Sequence, residues 1–279
     1  MFKHSWRDAV PAGITVVQAA LTFSIASHWS SLDAGEVLAL FPLGVFLAWY
    51  NPIIATHNFL HTPIFRSDAA NRIHAALNSV NLGLPQILYR FHHLNHHAHG
   101  NDRPGADGRT RDLGSTYAHG RDGRHEHVLR YCTLALFRPG TTEAWKTALR
   151  KGQGGQLSFE LITCVTGIAV LAWLSPAFLL AYWLPVFYAG WFLAHMENYY
   201  EHFGAQPHNR YANSVSYYGR LYNALLCNEG YHQEHHLRPQ AHWTQRPRVR
   251  AELATALDRP GRVVATLPPL LGFLESRPG

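Results

Sequence analysis

Twelve of the 20 histidines in this chain fall into four short groups. The first is His57-x-x-x-His61. The second packs five histidines into the eight residues from His92 to His99 and contains His93-x-x-His96-His97. The third pairs His195 with His202, and Asn198 stands four residues before His202. The fourth, His232-x-x-His235-His236, repeats the spacing of the second. On a helix, positions i, i+3 and i+4 share one face, with Cβ atoms roughly 5–6 Å apart. Neutral imidazole is a common metal ligand and suits Fe, Zn and Cu. The eight imidazoles of the HxxxH and HxxHH boxes exceed the needs of one ion, so the pattern predicts a dinuclear metal site. Scattered structural histidines explain it poorly, because each buried ring would need its own hydrogen-bond partner. Cysteine offers no competing site: Cys132, Cys164 and Cys227 are isolated and no CxxC occurs.

The elements that must carry these boxes are legible in where charge is missing. Only 15% of residues are charged, with 21 Arg and 3 Lys among the 24 cations. No Lys or Arg occurs between Arg7 and Arg66, or between Lys151 and Arg210. Segment 66–151 holds 13 basic and 7 acidic residues, and segment 210–279 holds 9 and 5. A membrane helix takes about 20 mostly apolar residues, so each cation-free window fits two helices and a turn. The pattern predicts helices over Val10–Trp29, Val37–Ala55, Leu157–Leu174 and Ala177–Leu193. The turns fall at 30–35 and at Ser175-Pro176. Trp6, Trp29, Trp49, Trp173 and Trp191 lie near helix ends, as interfacial aromatics do. Gln18, Thr15, Thr22, Ser24 and Glu160 fit a bilayer least well and leave buried hairpins of a soluble protein as the competing reading. Both turns lack Lys and Arg, so the positive-inside rule places both termini and every box on the cytoplasmic side. The expected fold is an all-α integral membrane protein forming one domain over 1–279. Two transmembrane hairpins, about 10–55 and 157–193, carry a cytosolic helical cap over 56–151 and 194–279. Within that cap, 100–125 reads as a polar loop, 152–155 as a Gly-rich joint, and 249–257 as a short helix.

At this point the chain resembles the integral-membrane fatty acid desaturases and their hydroxylase relatives. Their signature is HxxxH, HxxHH and HxxHH on the cytosolic face of four transmembrane helices. Here it is matched by His57/His61, His93/His96/His97 and His232/His235/His236, about 30 residues separating the first two boxes. The resemblance covers about residues 10–240. It implies a ninth histidine ligand, His202, and Asn198 reaching a metal through water, because Asn198-x-x-x-His202 resembles an NxxxH element of that family. Two registers stay open: His92 in place of His93 gives HxxxHH, the spacing of alkane hydroxylases, and His195 shares a face with His202. His99 is also extra. His4, His28, His74, His119, His125, His127, His208 and His242 read as ordinary surface or structural residues.

The resemblance implies two non-haem Fe ions, O2 as co-substrate and an external electron donor of ferredoxin or cytochrome b5 type. It implies desaturation of a fatty acyl or similar lipid chain, with hydroxylation or ketolation of a lipid, alkane or carotenoid as the alternative on the same scaffold. Ligating imidazoles need carboxylate or carbonyl partners on their second nitrogens; Asp102, Asp112, Glu197, Glu201, Glu229 and Glu234 are within reach in sequence. A metal transporter fits less well, since its ionisable ligands belong near mid-membrane. No HPGG-type haem module, Rossmann GxGxxG or P-loop is present. The arginines follow topology and no recognition motif, so nucleic acid is not an expected partner. Arg in excess of Lys suggests a GC-rich bacterial genome and hence the inner membrane.

Overall fold

The computed structural model describes residues 1–138, 140–258 and 261–277. Four of its helices are long and apolar enough to cross a membrane: Trp6–Ser31, Ala34–His61, Gly154–Leu174 and Pro176–Tyr200. The chain divides into two compact units, Met1–Phe91 with Thr141–Ala194, and His92–Gly140 with His195–Gly279.

In the first unit the four long helices pack around Ile25, Ala26, Ala48, Leu171, Phe178, Tyr182 and Val186. Their outer surfaces expose Val16, Val17, Leu38, Phe46, Ile162, Val165, Trp173 and Leu180. Water would leave so much contiguous apolar surface unsatisfied, whereas a bilayer solvates it, and this sets aside the reading of buried soluble hairpins. Lipid supplies no hydrophobic drive between helices, so close approach matters instead. Gly190 provides it, for a Cβ there would lie 2.4 Å from the Cβ of Ala48.

The helices match the predicted positions, with informative differences at their ends. The second runs without a break to His61, through a π-helical stretch at Asn51–Thr56. Pro52 has no N–H to offer the regular ladder, and the wider turn absorbs that loss. His57-x-x-x-His61 is thus the last turn of the span itself. The fourth extends to Tyr200, seven residues past the predicted end. The turns are fixed by side-chain caps: Asp33 accepts from the Glu36 amide at 2.8 Å, and Ser175 from Phe178 at 3.1 Å. The predicted tail helix divides into Arg246–Glu252 and Ala254–Leu257.

Gln18 and Glu160, two of the polar residues that fitted a bilayer least well, both have hydrogen-bond partners within the first unit. Asn51 Nδ2 donates to Gln18 Oε1 at 2.6 Å and to Asn78 Oδ1 at 2.7 Å. Asn78 Nδ2 donates to Thr56 Oγ1 at 2.6 Å and to Gln86 Oε1 at 2.7 Å, and Thr56 Oγ1 donates to Asn51 Oδ1. Asn81 Nδ2 reaches the Thr15 carbonyl at 2.9 Å. The network ties the first two spans to helix Asp68–Leu82 and to the start of helix Gln86–His99. Glu160, on the third span, accepts from the Ile87 amide at 2.6 Å and from Gln156 Nε2 at 2.7 Å. It therefore satisfies an otherwise orphaned donor at the start of the helix that bears the second box.

The second unit is mostly short helices and loops. A two-stranded parallel pair joins Val215–Ser216 to Val263–Val264. The turn before the last box brings Gly230 against the backbone, where a Cβ would sit 2.0 Å from the Tyr217 carbonyl oxygen. Only glycine fits there.

Asn78 is fully buried with both amide atoms engaged. Asn78→Leu strands its partners and is expected to destabilise the protein by about 1–3 kcal/mol. Thermal unfolding in detergent measures this, and an unchanged midpoint would mean that the network does not hold the helices together.

Candidate metal centre

Six box histidines and His202 lie in the second unit and gather into two adjacent groups. His93, His97 and His235 each bring a ring nitrogen within 4.8 Å of the others. His96, His202, His232 and His236 do the same. The groups sit side by side, since the His97 and His236 rings are 4.4 Å apart. Helical spacing explains the sorting. His93 and His97, four apart, stack along one stripe, while His96 is turned toward the other group. Helix His232–Leu237 repeats this, giving His235 to the first group and His232 and His236 to the second.

Hydrogen bonding fixes which nitrogens can bind a cation. His96 Nδ1 lies 2.7 Å from Asp112 Oδ2, to which it donates. His202 Nδ1 lies 3.1 Å from the Asn213 carbonyl, which can only accept. In the neutral form both rings therefore carry their proton on Nδ1, which leaves both Nε2 atoms free to bind a cation. Those two Nε2 atoms face each other at 3.0 Å, and His232 Nε2 lies 3.3 Å from that of His202. In the first group His97 Nε2 lies 3.0 Å from His93 Nε2 and 2.9 Å from His235 Nε2. Where neither of two facing Nε2 atoms carries a proton their lone pairs repel, and a shared cation removes the repulsion. Metal–imidazole bonds of about 2.1 Å at right angles put donor atoms about 3.0 Å apart, which matches these separations. Both ring nitrogens of His236 are buried without a hydrogen-bond partner, a cost that a metal bond offsets. The donors thus fit borderline transition ions and not Mg2+ or Ca2+, which take oxygen.

Three carboxylates hold the rings. Asp112, fully buried, accepts from His96, from the Asn101 amide at 2.8 Å and from the Gly114 amide at 2.8 Å. Burial works against its charge, yet the His96 ring and the Gly114 amide hold its pKa below the ordinary carboxylate range. Glu201 and Glu229 approach His232 Nδ1 at 3.4 and 3.5 Å. Arg246 pairs with Glu229 at 2.7 Å. Burial and the neighbouring Glu197 and Glu229 charges push the Glu201 pKa well up. The other acids within reach in sequence serve the frame. Asp102 accepts the Arg111 and Asp112 amides. Glu197 accepts from Tyr222, and Glu234 takes Ser216, Tyr218 and Arg262.

The remaining predicted residues lie as follows. His57 and His61, in the first unit, are both buried with ring nitrogens within 4.8 Å of each other. His57 Nδ1 donates to the Ile53 carbonyl at 3.1 Å, which again frees Nε2. Asn198 Nδ2 donates to the Tyr131 hydroxyl at 3.3 Å. His92 belongs to neither group, and its ring fills a slot beside Gly114 and Gly140. His195 also stands outside them, its ring centre 6.1 Å from that of Tyr131. His99 is exposed. The Asn213 carbonyl and Arg246 escape a sequence reading: a backbone oxygen leaves no residue signature, and Arg246 lies beyond the last box within an Arg-rich tail.

Asp112→Asn keeps the shape and removes the charge behind His96. It is expected to weaken metal binding 10–100-fold, read by competition with a chromogenic chelator. Unchanged affinity would mean that Asp112 does not act on the centre.

A search of curated proteins finds no match. The fatty acid desaturase family model matches residues 36–267, a span that takes in all three boxes and His202. On the strength of that match the chain belongs to the fatty acid desaturase family.

Proposed function

We propose that this protein is an O2-dependent diiron enzyme of the membrane that introduces a double bond into a fatty acyl or similar lipid chain. The observation that carries the reading is the pair of adjacent imidazole groups whose Nε2 atoms converge, in a chain that belongs to the desaturase family. In this reading His57 and His61 add their imidazoles to the seven of the second unit, and Asn198 completes the set through water. Iron, when bound there, supplies the one-electron redox steps and the oxygen binding that attack on an unactivated C–H bond requires.

The protein's own groups have narrower tasks. Asp112 and the Asn213 carbonyl keep His96 and His202 in the tautomer that leaves Nε2 free. Glu201 and Glu229 lie close to His232 Nδ1. Asp112 is held in its charged form, which offsets part of the charge that two cations would bring into a buried site. The overall reaction balances when –CH2–CH2–, O2, two electrons and two protons give –CH=CH– and two waters. The chain has no haem or nucleotide motif, so the two electrons come from a separate carrier of ferredoxin or cytochrome b5 type.

The positive-inside pattern supports placing both termini and the boxes on the cytoplasmic side of a bacterial inner membrane. His57 and His61 end a span rather than sitting at its middle, which speaks against a transport site.

Mass spectrometry of lipid extracts from expressing cells tests the reaction. Loss of two hydrogens from an acyl chain is expected, gain of one oxygen would select the hydroxylase alternative, and unchanged lipids under reducing, aerobic conditions would contradict both. His96→Ala and His235→Ala are each expected to abolish the product with membrane insertion intact, assayed by membrane fractionation. Retained activity in both would place the chemistry elsewhere. Zinc has no accessible redox change, so zinc-loaded protein is expected to be inactive in the same assay.

A further inference from the structure

The loop before helix Val128–Leu134 encloses an open groove of about 440 Å3, lined among others by His119, Arg121, Arg124, His125 and His127. Its charge is lopsided. Glu126 is buried and committed to Arg138 at 2.5 Å and Arg130 at 3.4 Å. Asp122 is the one exposed acid among the lining residues. Arg121 and Arg124 are exposed with no carboxylate partner among the described residues. Thus the groove offers two unpaired guanidinium groups to solvent.

One lining residue, His125, belongs to a stack of aromatic rings that reaches the residue next to a ligand in the chain. His125 lies flat on Tyr117, ring centres 4.0 Å apart, and 4.8 Å from the Phe203 ring. Phe203 directly follows His202, whose Nε2 belongs to the second imidazole group. The His125 ring is held at both nitrogens. Its Nδ1 lies 2.7 Å from Thr116 Oγ1, which itself donates to Asn101 Oδ1 at 3.0 Å. Its Nε2 accepts from the Gly204 amide at 3.5 Å. Burial, with help from Arg103, lowers its pKa to about 4, so the ring is neutral at neutral pH. His125 and Phe203 thus form a fixed path of ring contacts from a solvent-facing groove to the residue bonded to His202, an arrangement suited to electron tunnelling.

We propose that the groove bearing Arg121 and Arg124 is the docking site of an acidic one-electron carrier protein, and that Tyr117, His125 and Phe203 form the path from it to His202. The proposal rests on the diiron reading above. Each encounter oxidises the carrier by one electron and reduces one ferric ion to ferrous, so two encounters supply the two electrons used per O2. Charge complementarity sets the encounter rate and its salt dependence, and the rings set the transfer rate within the complex.

The test uses the full-length protein in detergent with an acidic [2Fe–2S] ferredoxin as probe. First, binding of oxidised ferredoxin to metal-free protein is measured by calorimetry. The R121E/R124E double variant is expected to weaken it at least 10-fold at low salt, and equal affinity would overturn the docking site. Second, anaerobic stopped-flow follows oxidation of reduced ferredoxin by the ferric protein. The double variant is expected to slow the bimolecular phase and flatten its salt dependence. Phe203→Leu is expected to leave binding intact and slow the phase within the complex at least 10-fold, and an unchanged rate would overturn the path. Third, turnover is driven by a small neutral mediator. Equal turnover of wild type and double variant is expected. A raised KM for lipid substrate with unchanged ferredoxin binding would assign the groove to anionic lipid headgroups and overturn the proposal. If wild type itself yields no product with the mediator, the diiron reading fails and the groove loses its role with it.

Discussion

The structure depends on where two protons sit. His96 gives its Nδ1 proton to Asp112, and His202 gives its own to the Asn213 carbonyl. Each ring then has one lone pair left, and the fold sets the two face to face at 3.0 Å inside a buried cluster. No rotation within this network relieves that contact, because the carbonyl cannot donate. A cation relieves it, and the neighbouring imidazoles enlarge the same demand. Asp112 is then intelligible as counter-charge, fully buried and held ionised against the His96 ring, an arrangement that is costly without positive charge nearby.

Both units spend polar groups on holding helices in register. In the first, Gln18, Asn51, Thr56, Asn78 and Gln86 satisfy each other among apolar spans. In the second, Gln233 spans its surroundings between two ligands. Its Oε1 accepts the Ser214 amide at 3.0 Å, and its Nε2 donates to the Arg210 carbonyl and Asn213 Oδ1 at 3.1 Å each. The last box is thereby tied to the segment whose carbonyl orients His202. A metal centre built from short helices and loops needs such bracing, since ligand rings displaced by even half an ångström no longer converge.

Much of this was legible in the sequence, for identifiable reasons. Helical periodicity put His93, His96 and His97 on one face before any coordinates, though not their division between two groups, and the absence of Lys and Arg marked the spans. Other features obey rules that sequence does not carry. Gln18 and Glu160 looked misplaced because their partners are 33 and 73 residues away. The second span extends to the first box because a π-helical stretch accommodates Pro52, where a regular pattern implies an end near residue 55. Asp112 could not be singled out from five other acids, since its loop position follows from the left-handed turn at Gly100 and Asn101, not from a helical face. His125 read as ordinary, and its neighbours in the ring stack lie up to 78 residues away in the chain.

The central claim is that facing imidazoles hold two iron ions. Iron counted per chain after anaerobic loading and removal of loosely bound metal tests it most directly. The account predicts two irons per chain in the wild type and a loss of iron when His96 and His202 are both replaced by alanine. A wild type holding one iron or none, or a double variant that retains two, would contradict it.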